Sequence, residues 1–158
     1  MRRVTKPVFV GDVKVGGDAP VSVQSMTKTD TRDVKSTLIE IKKLENAGCE
    51  IIRCAVPDME AAKALKAIKK GASIPVIADI HFHHELAIES LKSGVDCLRL
   101  NPGNIRDEEK VKEVVKLAKQ REVPIRIGVN FGSLPPVGAI GKTRGLNRHD
   151  DGVNLLTK

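Results

Sequence analysis

PVIADIHFHHELAIESLKSGVDCLRL, running from Pro75 to Leu100, contains the pattern that decides the fold. Pro75-Val76-Ile77-Ala78-Asp79 is a short apolar run that ends in a charged residue. A helical stretch follows from near His84 to Ser93, and Gly94 closes it. Asp96-Cys97-Leu98-Arg99-Leu100 is a second apolar run. Short β-branched runs of this kind read as buried strands, and the stretch between them suits a crossover helix.

The same unit recurs on both sides. Upstream, residues 20–24 (Pro-Val-Ser-Val-Gln) read as a strand. Residues 33–47 read as a helix, with Val34, Leu38, Ile41 and Leu44 at helical spacing and Gly48 as its stop. Residues 50–54 (Glu-Ile-Ile-Arg-Cys) form the next strand. Asp58 then caps a helix in which Ala61, Leu65 and Ile68 share a face and which Gly71 ends. Downstream, a turn at Asn101-Pro102-Gly103-Asn104 leads to a helix over residues 107–121, with Val111, Val114, Val115 and Ala118 as its stripe. A strand over residues 124–130 comes last. Ahead of all this, residues 8–17 suggest a β-hairpin turning at Gly11-Asp12.

Such alternation implies a parallel sheet with helices outside it. The Gly-rich fingerprint of dinucleotide folds is missing after the first strand, where the chain reads Gln24-Ser25-Met26-Thr27. Polar residues stand instead at the C-terminal ends of several strands, as in a barrel. The expected fold is therefore α/β: a partial TIM-type (β/α) barrel, about five strands of eight, preceded by a small hairpin. A complete barrel takes roughly 250 residues, and this chain has 158.

Composition narrows the function classes. Hydrophobic residues make up 41% and charged residues 30%, which fits a soluble globular protein. No apolar run reaches the ~18 residues of a membrane helix, and no apolar stretch follows the basic N-terminus, so a cytoplasmic address is expected without membrane attachment. The net charge of +7 favours anionic partners. Single-strand nucleic-acid surfaces stack bases on aromatic rings. With aromatics at only 2%, a small anionic ligand is expected, and no nucleic acid. Cys49, Cys54 and Cys97 form no CxxC pair and read as buried residues of reduced strands.

Alternate strand residues share a face. Arg53 thus shares one with Ile51, Arg99 with Asn101, and Arg126 with Gly128 and Asn130. Asp79 shares one with Ile77 and, in extended continuation, with His81. Three arginines late in three apolar runs require counter-charge, and convergence on one anionic ligand supplies it. The planar guanidinium suits phosphate because it grips two oxygens. Gly103 and Gly128 are candidates for close backbone approach to that ligand.

The His81-Phe82-His83-His84-Glu85 cluster lacks the further ligands of a zinc site, since the one other histidine is the distant His149. His81 reads as a site residue, with His83 and His84 at the helix start or surface, and no metal is assigned. Gly141-Lys142-Thr143 ends like a phosphate loop, but the first glycine of that pattern would fall at Pro136. Gly138, Gly141 and Gly145 suggest a flexible segment.

The segments Val23-Gln24-Ser25-Met26-Thr27, Ile52-Arg53-Cys54-Ala55-Val56-Pro57, Ala78-Asp79-Ile80-His81-Phe82, 98–105 (Leu-Arg-Leu-Asn-Pro-Gly-Asn-Ile) and 125–130 (Ile-Arg-Ile-Gly-Val-Asn) carry a resemblance. In this order and spacing the chain resembles the N-terminal barrel of the 4-hydroxy-3-methylbut-2-enyl diphosphate synthase family, over roughly residues 3–134. The resemblance implies an iron–sulfur oxidoreductase of the non-mevalonate pathway of isoprenoid biosynthesis. Its reaction is the reductive opening of 2-C-methyl-erythritol 2,4-cyclodiphosphate, with loss of water.

By the same resemblance, Arg53, Arg99, Arg126 and Asn130 hold the cyclic diphosphate, and Asp79, His81 and Asn101 stand on the same rim. Asp79 and His81 are the candidate catalytic residues, and Asn101 joins the substrate-binding set. The family uses a [4Fe-4S] cluster, takes electrons from ferredoxin or flavodoxin, and forms homodimers. Its cluster ligands belong to a further C-terminal domain and are expected to be absent from this chain. The chain is therefore expected to be a fragment, inactive alone, with a barrel portion over residues 1–134 and a flexible tail outside the family pattern over residues 135–158. Two rival readings are a non-catalytic phosphate-binding module and a pterin diphosphate-binding barrel of the dihydropteroate synthase type.

Overall fold

A computed structural model describes residues 4–81, 83–101, 105 and 107–128. A two-stranded antiparallel hairpin comes first, β1 (Val8–Val10) and β2 (Val13–Val15). A parallel sheet follows, with β3 (Gln24–Met26), β4 (Ile51–Ala55), β5 (Val76–Ile80), β6 (Cys97–Leu100) and β7 (Ile125–Ile127) side by side in chain order. Helices α1 (Val34–Asn46), α2 (Met59–Gly71), α3 (His84–Lys92) and α4 (Glu108–Gln120) make the crossovers. Sequential strand order with a helix in each connection is the wall of a barrel, as the repeat predicts. The expected tail over residues 135–158, the turn residues 102–104, Phe82, Asn130 and His149 lie outside the described residues.

Local chemistry sets the helix boundaries. Asp33, Asp58 and Asp107 each accept a hydrogen bond from a first-turn backbone N–H, as from Ser36 at 3.0 Å and Ala61 at 2.9 Å. Such a cap contributes about 1 kcal/mol. Gly48 and Gly94 take left-handed backbone after α1 and α3, at φ +93° and +87°. Gly71 acts differently from the expected stop. It is the last residue of α2, and a Cβ there would lie 2.8 Å from Leu38 Cδ1, so it is small in order to let α1 and α2 pack.

The sheet has two apolar faces. Outward, Ile52, Cys54, Val76, Ala78, Ile80, Leu98 and Leu100 meet helix residues such as Leu65, Ile68, Leu91 and Val114. Each fully buried Ile or Leu contributes roughly 1.5–3 kcal/mol, so the fold's stability is concentrated here. Inward, Ile51, Ile77 and Cys97 meet Val10, with Val13 and Val15 of the hairpin packed alongside. The hairpin therefore covers the N-terminal end of the interior.

Three expectations need correction. The first strand covers residues 24–26 and shares only Gln24 with the expected 20–24 run; Val21 and Val23 are exposed at 85% and 54%. On its outer side β3 has no described neighbour to bury them, although the Val23 carbonyl still accepts from the N–H groups of Glu50 and Ile51. Val115 leaves the α4 stripe and is exposed, while Val114 and Ala118 are buried. Cys49 is buried in the loop before β4, whereas Cys54 and Cys97 lie in strands.

Candidate functional site

Strand register decides which side chains meet. Ala55 pairs with Asp79, Asp79 with Arg99, and Arg99 with Arg126 across β4 to β7. Paired residues of a parallel ladder point to the same face, so Asp79, Arg99 and Arg126 all project inward. Arg53 shares that face, two residues past Ile51. A polar layer thus stands directly above the apolar floor made by the hairpin.

Asp79 is the hub of this layer. Its side chain is only 3% exposed, and Oδ1 accepts from Arg99 Nη1 at 3.0 Å. Arg53 Nε lies 3.3 Å from Oδ2, and His81 Nε2 lies 3.3 Å from Oδ1. Arg99 Nη1 is also 3.4 Å from His81 Nε2. One buried carboxylate therefore answers two guanidinium groups. A lone buried arginine would be far more costly than one paired in this way.

The pairing is incomplete. Arg53 Nε is close enough to Asp79 for ionic attraction but is misaligned for a hydrogen bond, and it is a buried donor without an acceptor among the described residues. Such an unmet donor costs about 1–3 kcal/mol, which an incoming acceptor oxygen would recover. Its Nη2 donates to Met26 Sδ at 3.2 Å, a weak acceptor. Two Arg, one Asp and Arg126 leave a surplus of positive charge at the mouth of the sheet.

The remaining candidates fall into place around this hub. Arg126 donates from Nη1 to Gln24 Oε1, on the opposite edge strand. Asn101 is buried just beyond β6. His81 keeps 43% of its side chain exposed and borders a pocket of about 250 Å³ with Ala55, Val56, Pro57, His83 and Leu86. His83 precedes α3 and His84 opens it. Asn130 lies outside the described residues.

Gly128 has a different use from the one expected. A Cβ there would meet the Arg99 guanidinium, so its bareness makes room for a side chain of the protein and not for a ligand. Gln24 and Met26 escape sequence reasoning, although both occupy the inward face by register with β4. Applying strand parity to the first strand as well as the later ones would have found them.

A profile of the GcpE TIM-barrel domain matches residues 5–144, most of the chain. The chain belongs to the GcpE TIM-barrel domain family. Curated relatives of this GcpE barrel include the 4-hydroxy-3-methylbut-2-en-1-yl diphosphate synthase (flavodoxin) of Dehalococcoides mccartyi strain BAV1, 63% identical over 134 residues. The protein of the same description from Thermodesulfovibrio yellowstonii is 62% identical over 134 residues. Each match covers 85% of this chain and 38% of the relative, so the chain spans well under half the length of these relatives.

Solved structures agree on the architecture of the GcpE barrel. The 7,8-dihydropteroate synthase of Vibrio fischeri superposes with a TM-score of 0.64 at 15% identity, over 97% of this chain and 59% of that one. Dihydropteroate synthase of Yersinia pestis gives 0.58 at 11% identity, over 77% of this chain and 45% of that one. At these identities the likeness is one of fold.

The GcpE barrel's own cysteines do not fit an iron–sulfur cluster. Cluster ligands are thiolates gathered at one point. Cys54 faces the helices, whereas Cys97 faces the interior, on the other side of the sheet. Burial pushes both thiols up to about 11, which keeps them protonated. Among the described residues no group of three or more His, Cys, Asp or Glu is placed to hold a metal ion.

Proposed function

We propose that this chain is the substrate-binding portion of a 4-hydroxy-3-methylbut-2-en-1-yl diphosphate synthase, and that its inward arginines hold a cyclic diphosphate. The observation that carries this reading is the Arg53–Asp79–Arg99 arrangement, with its buried, unanswered Arg53 Nε and with Arg126 in the same layer. Diphosphate oxygens are charged acceptors that suit such a set. Arg53, Arg99 and Arg126 grip the diphosphate, with Asn101 and Asn130 completing the binding set. Asp79 fixes the two guanidinium groups, and His81, exposed at the rim, faces the carbon skeleton.

The reaction served is the reductive opening of 2-C-methyl-erythritol 2,4-cyclodiphosphate in isoprenoid biosynthesis. The [4Fe-4S] cluster and its ligands belong outside this chain, so the chain binds and orients substrate and is inactive alone. Flavodoxin, named in the description of the relatives, or ferredoxin is the electron donor, and the full-length protein is a cytoplasmic homodimer. No described helix is long and apolar enough to cross a membrane. The domain reading that goes with this is a barrel portion over residues 1–134 and an appended tail over 135–158. The curated relatives match over 134 residues, and the family profile covers residues 5–144.

Calorimetric titration of the cyclic diphosphate, and of inorganic pyrophosphate, tests the reading. Wild type is expected to bind both, and Arg126→Ala to bind about tenfold or more weakly. Equal affinities would remove Arg126 from the site, and no binding by wild type would overturn the reading.

A further inference from the structure

We propose that Gln24 is a positioning residue for anion binding, holding Arg126 across the interior through a neutral acceptor so that Arg126 keeps its whole charge for the ligand. The inference rests on the diphosphate reading above.

β3 and β7 are the two ends of the sheet, and no ladder joins them. The sheet curls far enough for Arg126 Nη1 to donate to Gln24 Oε1 all the same. The three arginines are thus held in two different ways. Arg53 and Arg99 lie against the Asp79 carboxylate, which offsets part of their charge. Arg126 has no carboxylate partner among the described residues.

An amide oxygen accepts a hydrogen bond without bringing a charge. A carboxylate at the same place would hold Arg126 more firmly and would also compete with an incoming anion. Gln is therefore the side chain that fixes the direction of the guanidinium while leaving its field intact. It also has the length to meet an arginine from the facing wall, and its inward orientation follows from its register with Ile51.

The test compares wild type, Gln24→Glu and Gln24→Met by calorimetric titration of inorganic pyrophosphate, with the Tm of each protein measured without ligand. Gln24→Glu is expected to keep or raise Tm, because it pairs Arg126 with a carboxylate, and to weaken pyrophosphate binding about tenfold or more. Gln24→Met keeps the volume but loses the acceptor, and is expected to weaken binding severalfold with little change in Tm. A purely structural Gln24 would give a Glu variant that binds like wild type, and that result overturns the inference while leaving the diphosphate reading intact. Should the Glu variant fail to fold, wild-type affinity in Gln24→Met overturns it equally. A wild type that binds no pyrophosphate overturns both readings together.

Discussion

Gly128 and Arg99 occupy one space: a Cβ on Gly128 would overlap Arg99 Nε and lie 2.7 Å from Nη2. The strand after the arginine thus has to be bare for the guanidinium to lie flat against Asp79. Gly128 is held in register by its N–H, which donates to the Leu100 carbonyl at 2.9 Å, so the backbone is anchored and the side chain must yield.

Gly128→Ala is therefore expected to displace Arg99 and leave the fold standing. Pyrophosphate affinity should fall about tenfold while the loss of stability stays near 1–3 kcal/mol. Titration and thermal melting measure the two effects separately. Unchanged affinity would show that the Arg99 guanidinium plays no part in binding.

Asp79→Asn preserves shape but removes the one carboxylate that Arg53 and Arg99 share. Breaking a buried ion pair by removing one partner costs about 3–5 kcal/mol; Arg53 keeps some access to water, which places this variant at the lower end. An anion bound between the arginines replaces part of the lost charge. The variant is expected to gain more Tm from added pyrophosphate than wild type gains, in melts run across a concentration series.

The cysteines predict a pH dependence. Burial raises the Cys54 and Cys97 thiols from an ordinary 9.0 to about 11. Between those values the folded chain holds protons that the unfolded chain has released, so stability falls as pH rises. Their contribution is whole below pH 9 and is lost as pH climbs through about 11, a change on the order of a few kcal/mol. Denaturant titrations at pH 8 and pH 10.5 measure it. Native protein should also resist alkylation at Cys54 and Cys97 at pH 8, with both reacting after unfolding.

Gly71 and Leu38 form a steric pair that a double-mutant cycle can isolate. Gly71→Ala forces a methyl to within 2.8 Å of Leu38 Cδ1, and overpacking of this kind costs about 1–3 kcal/mol. Combined with Leu38→Ala, the clash has no partner. The double variant is expected to be more stable than the sum of the two single losses predicts, as read from chemical denaturation.

Much of the architecture was legible because each strand and helix obeys local rules. Apolar runs, Asp caps and the helix-ending Gly48 and Gly94 carry the βα alternation without reference to anything distant. Strand parity carried the inward direction of Asp79, Arg99 and Arg126, since a period of two survives wherever the ladder is regular. What stayed hidden depends on curvature or on missing neighbours. Val21 and Val23 look like core residues until the absence of a described strand beside β3 is known. The contact of Gln24 with Arg126 needs a sheet bent far enough to bring its two ends together. Gly71 and Gly128 look like stops or ligand-facing gaps, and only packing reveals that each makes room for a particular side chain.

The hairpin under the sheet has a kinetic consequence. Neighbouring strands meet through short loops and a helix, so the sheet can zip from one unit to the next. Val10, in contrast, must find Ile51, Ile77 and Cys97, each further along the chain than the last. Closing such long loops is entropically slow. The floor of the site is therefore expected to seal only after the sheet has formed.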